Sequence, residues 1–100
     1  MTASLDDPRP AGPDWAAIRD DFPILKREID GAPIVYLDSG NTSQKPRQVI
    51  DAMSEFQRTS YAPINRSAYR LAAEATDRYE GARAAVARFV NAPSPDEIVF

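Results

Sequence analysis

Between Arg70 and Asn91, apolar side chains recur at spacings of three, four, three, four and three: Ala72, Ala75, Tyr79, Ala82, Val86 and Phe89. That rhythm predicts one long amphipathic helix with a single apolar stripe. It is the strongest periodic signal in the chain, and it obliges the fold to cover the stripe with something else. The outer flank carries charges, with Glu74 four residues before Arg78 and Glu80 three before Arg83. Acids precede arginines along the helix, as its dipole favours. These charges read as a solvated face. Gly81 interrupts the run at a cost of about 1 kcal/mol against alanine, which close packing against a neighbour would explain.

Two shorter helices come earlier. Asp14 is placed to cap a helix over residues 15–20, where Trp15 and Ile18 share one face and Pro23 marks the end. Val49, Ile50, Met53 and Phe56 stripe a second helix over 46–59, with Pro46 suited to its first turn and Ser43 a nearby cap. Strands are predicted over 33–37 (PIVYL) and 97–100 (EIVF), the latter of a type built for burial on both faces. Asp30-Gly31 is a hairpin signal between REI and APIVYL. Residues 38–45 and 60–69 are polar loops, the second broken by Pro63. Residues 1–13 hold Pro8, Pro10 and Pro13 with almost no large apolar side chain, and read as a disordered tail. The folded portion is then 14–100. It stops in the middle of a strand, so a domain truncated at its C-terminal side is expected.

Several chemistries are excluded by composition. The chain has no cysteine and no histidine, which removes disulfides, Ser-His and Cys-His nucleophile pairs and the usual zinc sites. A net charge of −3 argues against nucleic acid and against an anionic membrane surface as partners. No leader of basic-then-apolar type and no bilayer-length apolar run is present, so a cytoplasmic setting is expected. Asp6-Asp7 and Asp20-Asp21 are adjacent pairs whose side chains do not face each other on a helix, and no glycine-rich phosphate loop occurs. Tyr61 and Tyr69 flank the second loop and read as packing residues, since a tyrosine hydroxyl ordinarily titrates near about pH 10.

One stretch is longer and more polar than a surface turn needs. LDSGNTSQKP, residues 37–46, follows directly on an apolar run. Together with other segments it resembles the N-terminal part of a SufS-type cysteine desulfurase, in the class V aminotransferase group of pyridoxal-phosphate enzymes. The resemblance is carried by Phe22 to Leu25 and by Tyr36 to Pro46, where Gly40-Asn41 stand for the family's Ala-Ala. It continues in Glu74-Ala75-Thr76, Tyr79-Glu80, Arg83, Phe89-Val90-Asn91-Ala92 and Glu97-Ile98-Val99-Phe100. It spans about residues 14–100 without obvious gaps. The second loop departs from it. The family has hydrophobic-His-Arg-Gly-x-His where this chain has Ile64-Asn65-Arg66-Ser67-Ala68-Tyr69.

The resemblance implies an α/β enzyme of fold-type I, with a mixed, mostly parallel central sheet and a small domain. It implies pyridoxal 5'-phosphate as cofactor, L-cysteine as substrate, a homodimer, and a sulfur-acceptor protein in iron-sulfur cluster assembly. By the same token Ser39, Gly40 and Asn41 would line the substrate's carboxylate, with Asn65 and Arg66 contributing from the second loop. Small residues let backbone N–H groups approach an anion, and an arginine fork suits a carboxylate. No catalytic residue is expected in the chain. The Schiff-base lysine and the nucleophilic cysteine belong farther along, Lys26 and Lys45 read as solvated, and the residues that bind the cofactor are not identified. The chain alone is then expected to be inactive. Two other readings stay open. Asn65 and Tyr69 in place of histidines admit an epimerase, lyase or transaminase of the same group. The long apolar stripe admits a non-catalytic helical interaction module.

Overall fold

A computed structural model of the chain describes residues 11–100. The expected disordered tail lies outside the described residues as far as residue 10. Two compact units divide the chain, one up to Ile50 and one from Asp51 onward.

In the first unit, α1 (Trp15–Asp20) starts where the Asp14 carboxylate accepts the Ala17 N–H at 3.1 Å, as the capping preference predicts. A 3-10 turn, Pro23–Lys26, follows with proline at its start. Then β1 (Glu28–Ile29) and β2 (Ala32–Pro33) pair antiparallel, with Glu28 opposite Pro33 and Ile29 opposite Ala32. Asp30 and Gly31 between them have φ of 53° and 77°. Two successive positive φ values define the hairpin turn whose twist matches its strands, and Asp-Gly is the pair that tolerates them.

The strand predicted over 33–37 ends at Pro33. The Ile34 N–H still donates to the Arg27 carbonyl at 3.1 Å, but beyond it no ladder partner exists among the described residues. Val35 and Leu37 are 78% and 91% exposed. A β-branched run becomes a strand only when a neighbour takes its backbone groups. The strand predicted over 97–100 fails for the same reason. The Ser94 hydroxyl accepts the Asp96 N–H at 3.2 Å and caps a 3-10 turn, Pro95–Glu97. Ile98 then runs extended without a ladder partner. The sheet formed by the described residues is the hairpin alone, so the expected central sheet is not assembled by them.

α2 (Arg47–Thr59) begins one residue after the predicted start. The Pro46 carbonyl accepts from Val49 and Ile50 at 3.0 and 3.2 Å, so proline occupies the cap rather than the first turn. The start is held by Asp21, whose carbonyl takes the Arg47 N–H at 2.7 Å and whose carboxylate meets the guanidinium at 3.0 Å. No cap from Ser43 is formed. Val49, Ile50 and Met53 of the apolar stripe stay exposed, and Phe56 is half-buried.

The second unit is organised by α3 (Arg70–Phe89), two residues shorter than predicted. Asn91 ends it at φ 57°, with its N–H on the Arg88 carbonyl at 3.2 Å and the Ala92 N–H on the Ala87 carbonyl at 2.8 Å. This is a Schellman closure with asparagine in the left-handed position. The predicted stripe is covered along only part of its length. Ala72, Ala75 and Ala87 are buried, together with Ser60, whereas Phe89 is 91% exposed and Val86 39%. Over its last turns the helix directs Arg83 and Ala87 inward instead. The Arg83 guanidinium donates to the Ile98 carbonyl, pairs with Glu80 at 2.9 Å, and lies over the Tyr79 and Phe100 rings at 5.3 and 5.0 Å. The hydrogen bond it donates to the Glu80 carboxylate holds its pKa above the ordinary value. Glu74 pairs with Arg70 at 3.0 Å rather than with Arg78. A Cβ at Gly81 would meet nothing within 4 Å, so close packing within the described residues does not account for that glycine.

Candidate functional site

The first polar loop is closed largely from within. The Asp38 carbonyl accepts the N–H groups of Asn41 and Thr42 at 3.0 and 3.2 Å. The Asn41 side-chain amide donates to the Asp38 carboxylate at 2.7 Å. Asparagine and aspartate favour such local closures because their short polar side chains mimic a backbone turn. The Tyr36 hydroxyl reaches into the same turn, within hydrogen-bond range of the carbonyls of Thr42 and Asp38. Among the described residues, the Ser39 and Gly40 N–H groups find no partner. Gly40 has no left-handed φ, and a Cβ there would meet nothing within 4 Å. Two successive unpaired N–H groups on an open backbone make a setting that suits an anion.

A cavity of about 380 Å³ opens beside the loop, lined by Arg19, Phe22, Tyr36, Ser39, Ser43 and Gln44 among others. Arg19 at its edge donates to the Leu25 and Ile34 carbonyls at 3.4 and 3.3 Å. Ser39, Gly40 and Asn41 thus lie together in the first unit. Asn41 commits one of its two amide N–H donors to Asp38, which leaves the second N–H and the amide oxygen free.

Asn65 and Arg66 belong to the second unit. Asn65 sits at φ 58°, and its N–H donates to the Thr76 hydroxyl on α3 at 3.0 Å. Asparagine and histidine are both among the residues that tolerate this conformation. Asn65, standing where the resemblance has histidine, therefore suits the backbone while giving up a titratable group. Arg66 is exposed and makes no ion pair among the described residues. Ile64, just before Asn65, borders an apolar cavity of about 390 Å³ with Met53, Phe56, Ala75, Arg78 and Tyr79. There the Phe56 ring meets Tyr61 edge-on at 6.0 Å, and Arg78 stands 5.9 Å from the ring centre.

Sequence reasoning missed Tyr36 and Thr76 as supports of the two loops. Tyr36 read as one residue of a strand, and Thr76 only as part of a motif. Their loop partners lie six and eleven residues away, beyond any local turn rule. Both lysines are where expected. Lys26 pairs with Asp20 at 3.8 Å with both side chains largely exposed, and Lys45 donates to the Ser43 carbonyl at 2.8 Å. No group of three or more metal-ligating side chains occurs among the described residues, and no helix there is long and apolar enough to cross a membrane.

The chain belongs to the aminotransferase class-V family, which matches residues 35–100. Among individual relatives, the probable cysteine desulfurase of Streptomyces coelicolor is 57% identical over 88 residues, covering 87% of this chain and 21% of its own length. The probable cysteine desulfurase of Mycolicibacterium paratuberculosis is 53% identical over 87% of this chain and 13% of its own length. The cysteine desulfurase of an Enterobacter species is 53% identical over 83% of this chain and 20% of its own length. The chain therefore spans about a fifth or less of the length of these curated relatives.

Proposed function

We propose that residues 14–100 act as the N-terminal portion of a SufS-type cysteine desulfurase. In this reading the whole protein is a cytoplasmic, pyridoxal-phosphate-dependent homodimer with a mixed, mostly parallel central sheet and a small domain. It moves sulfur from L-cysteine to an enzyme cysteine, leaves L-alanine, and passes the sulfur to an acceptor protein for iron-sulfur cluster assembly. The observation that carries the reading is the 57% identity over 87% of this chain with a probable cysteine desulfurase.

The chain's own residues do not supply the amine that would hold the cofactor. Such a lysine must give up its charge, which needs a desolvated site. Lys26 and Lys45 are instead an exposed ion-pair member and a donor to its own loop. The contribution assigned to this chain lies at the amino-acid end of the site. Ser39 and Gly40 offer backbone N–H groups to the substrate carboxylate, with Asn41 beside them. Arg66 offers a guanidinium fork and Asn65 an amide from the second loop.

The test is turnover by the full-length protein supplied with L-cysteine and a thiol. Alanine and sulfide in equal amounts are the expected products. Formation of neither, with epimerisation, elimination or transamination of another amino acid, would replace this reading by a different class V activity. The Asn65-to-Tyr69 segment, without the two histidines of the resemblance, is what favours that second reading.

A further inference from the structure

We propose that Tyr36 is a positioning residue for the substrate loop, its hydroxyl holding Asp38–Thr42 in the shape that leaves the Ser39 and Gly40 N–H groups free. The proposal rests on reading that loop as the edge of the amino-acid site. A phenol has one proton to donate. Of the two carbonyls within reach, Thr42 is the closer, and Asp38 stands at 3.3 Å. The Asp38 carbonyl already accepts two N–H groups from the turn. The Thr42 carbonyl has no other partner among the described residues. The hydroxyl therefore ties the far end of the turn back to the segment that enters it. Remove it, and the Asp38 carbonyl alone is left to hold the Asn41 and Thr42 N–H groups, so the turn opens more often.

That frame is itself fixed. Arg19 spans the Leu25 and Ile34 carbonyls at 3.4 and 3.3 Å, and the Ile34 N–H is held by Arg27 at 3.1 Å. Tyr36 follows two residues later, half-buried, with its ring on the wall of the cavity beside the loop. Position thus passes from Arg19 through the backbone at Ile34 to Tyr36 and into the loop. A loop that spends only part of its time in the binding shape weakens apparent affinity by that fraction. Loss of one neutral hydrogen bond shifts such a population roughly three- to tenfold.

The experiment is Tyr36→Phe in the full-length protein, which keeps the ring and its packing. KM for the amino acid should rise roughly three- to tenfold, with kcat within about twofold of wild type. Cofactor absorbance and melting temperature should stay unchanged. Amide hydrogen exchange at Asn41 and Thr42, the bonded N–H groups of the turn, should quicken by a factor similar to the change in KM. Unchanged exchange overturns the proposal, as does faster exchange with an unchanged KM. A wild-type protein that turns over no cysteine counts against the functional reading instead. The exchange comparison then decides alone whether Tyr36 holds the loop.

Discussion

The loop at Asp38–Lys45 and the loop at Ser60–Tyr69 are both polar and both flank helices, yet they are held in different ways. The first closes on itself, through the Asp38 carbonyl, the Asn41 amide and the Tyr36 hydroxyl, all within six residues. The second has one turn-making residue in the left-handed region, Asn65, whose N–H is tied to Thr76, eleven residues on. A self-closed loop keeps its shape wherever its own residues are intact. A loop hung from a helix depends on the helix for its shape. The two should therefore respond differently to substitutions that spare their own sequence.

The largest effect should come from the first loop's open face. Gly40→Val adds bulk where a Cβ meets no neighbour and the backbone is unstrained. In the full-length protein, stability should change by less than about 0.5 kcal/mol. If the substrate carboxylate is received at this face, as proposed, the added methyl groups obstruct it and KM for the amino acid should rise between about ten- and a hundredfold. Steady-state kinetics and a denaturant midpoint check both halves. Loss of cofactor absorbance with the fold intact would mean that the loop serves the cofactor rather than the substrate.

The second loop should be sensitive in its backbone instead. Asn65→Val forces a β-branched residue to φ near 58°, at a cost of about 1–3 kcal/mol. Asn65→Gly should cost nothing or stabilise slightly. A denaturant midpoint that fails to separate the two variants would mean that the loop is not in the left-handed conformation in solution.

This difference also explains what could be read in advance. Three helices, the Asp14 cap and the Asp30-Gly31 turn follow from rules that act within a few residues, and they stand within two residues of expectation. The two strands did not form, because Val35 to Leu37 and Ile98 to Phe100 need a partner strand that the described residues do not supply. Ala82, Val86 and Phe89 share the period of Ala72 and Ala75, yet only the two alanines are buried. Period tells which residues share a face, not how far the cover extends. In the candidate site, Ser39 to Asn41 stand out in the sequence by residue type. Tyr36 and Thr76 act at longer range and carry no local signature.

Thr76→Val should give the smallest effect and the sharpest contrast. Valine keeps the β-branched shape and has nearly the same helix propensity as threonine, so what is lost is the acceptor for the Asn65 N–H. The loop is exposed at Asn65, and water can replace part of that bond, which places the cost near 0.5 kcal/mol, at about the low end for a neutral hydrogen bond. Thr76→Ser keeps the acceptor and should restore it. The informative readout is amide exchange rather than melting. Exchange at Asn65 should quicken about twofold in the valine variant and return in the serine variant, while Asn41 and Thr42 stay as they were, since Asp38 holds them. Equal quickening in both loops would mean that the first loop is not self-closed, and the distinction between them would have to be given up.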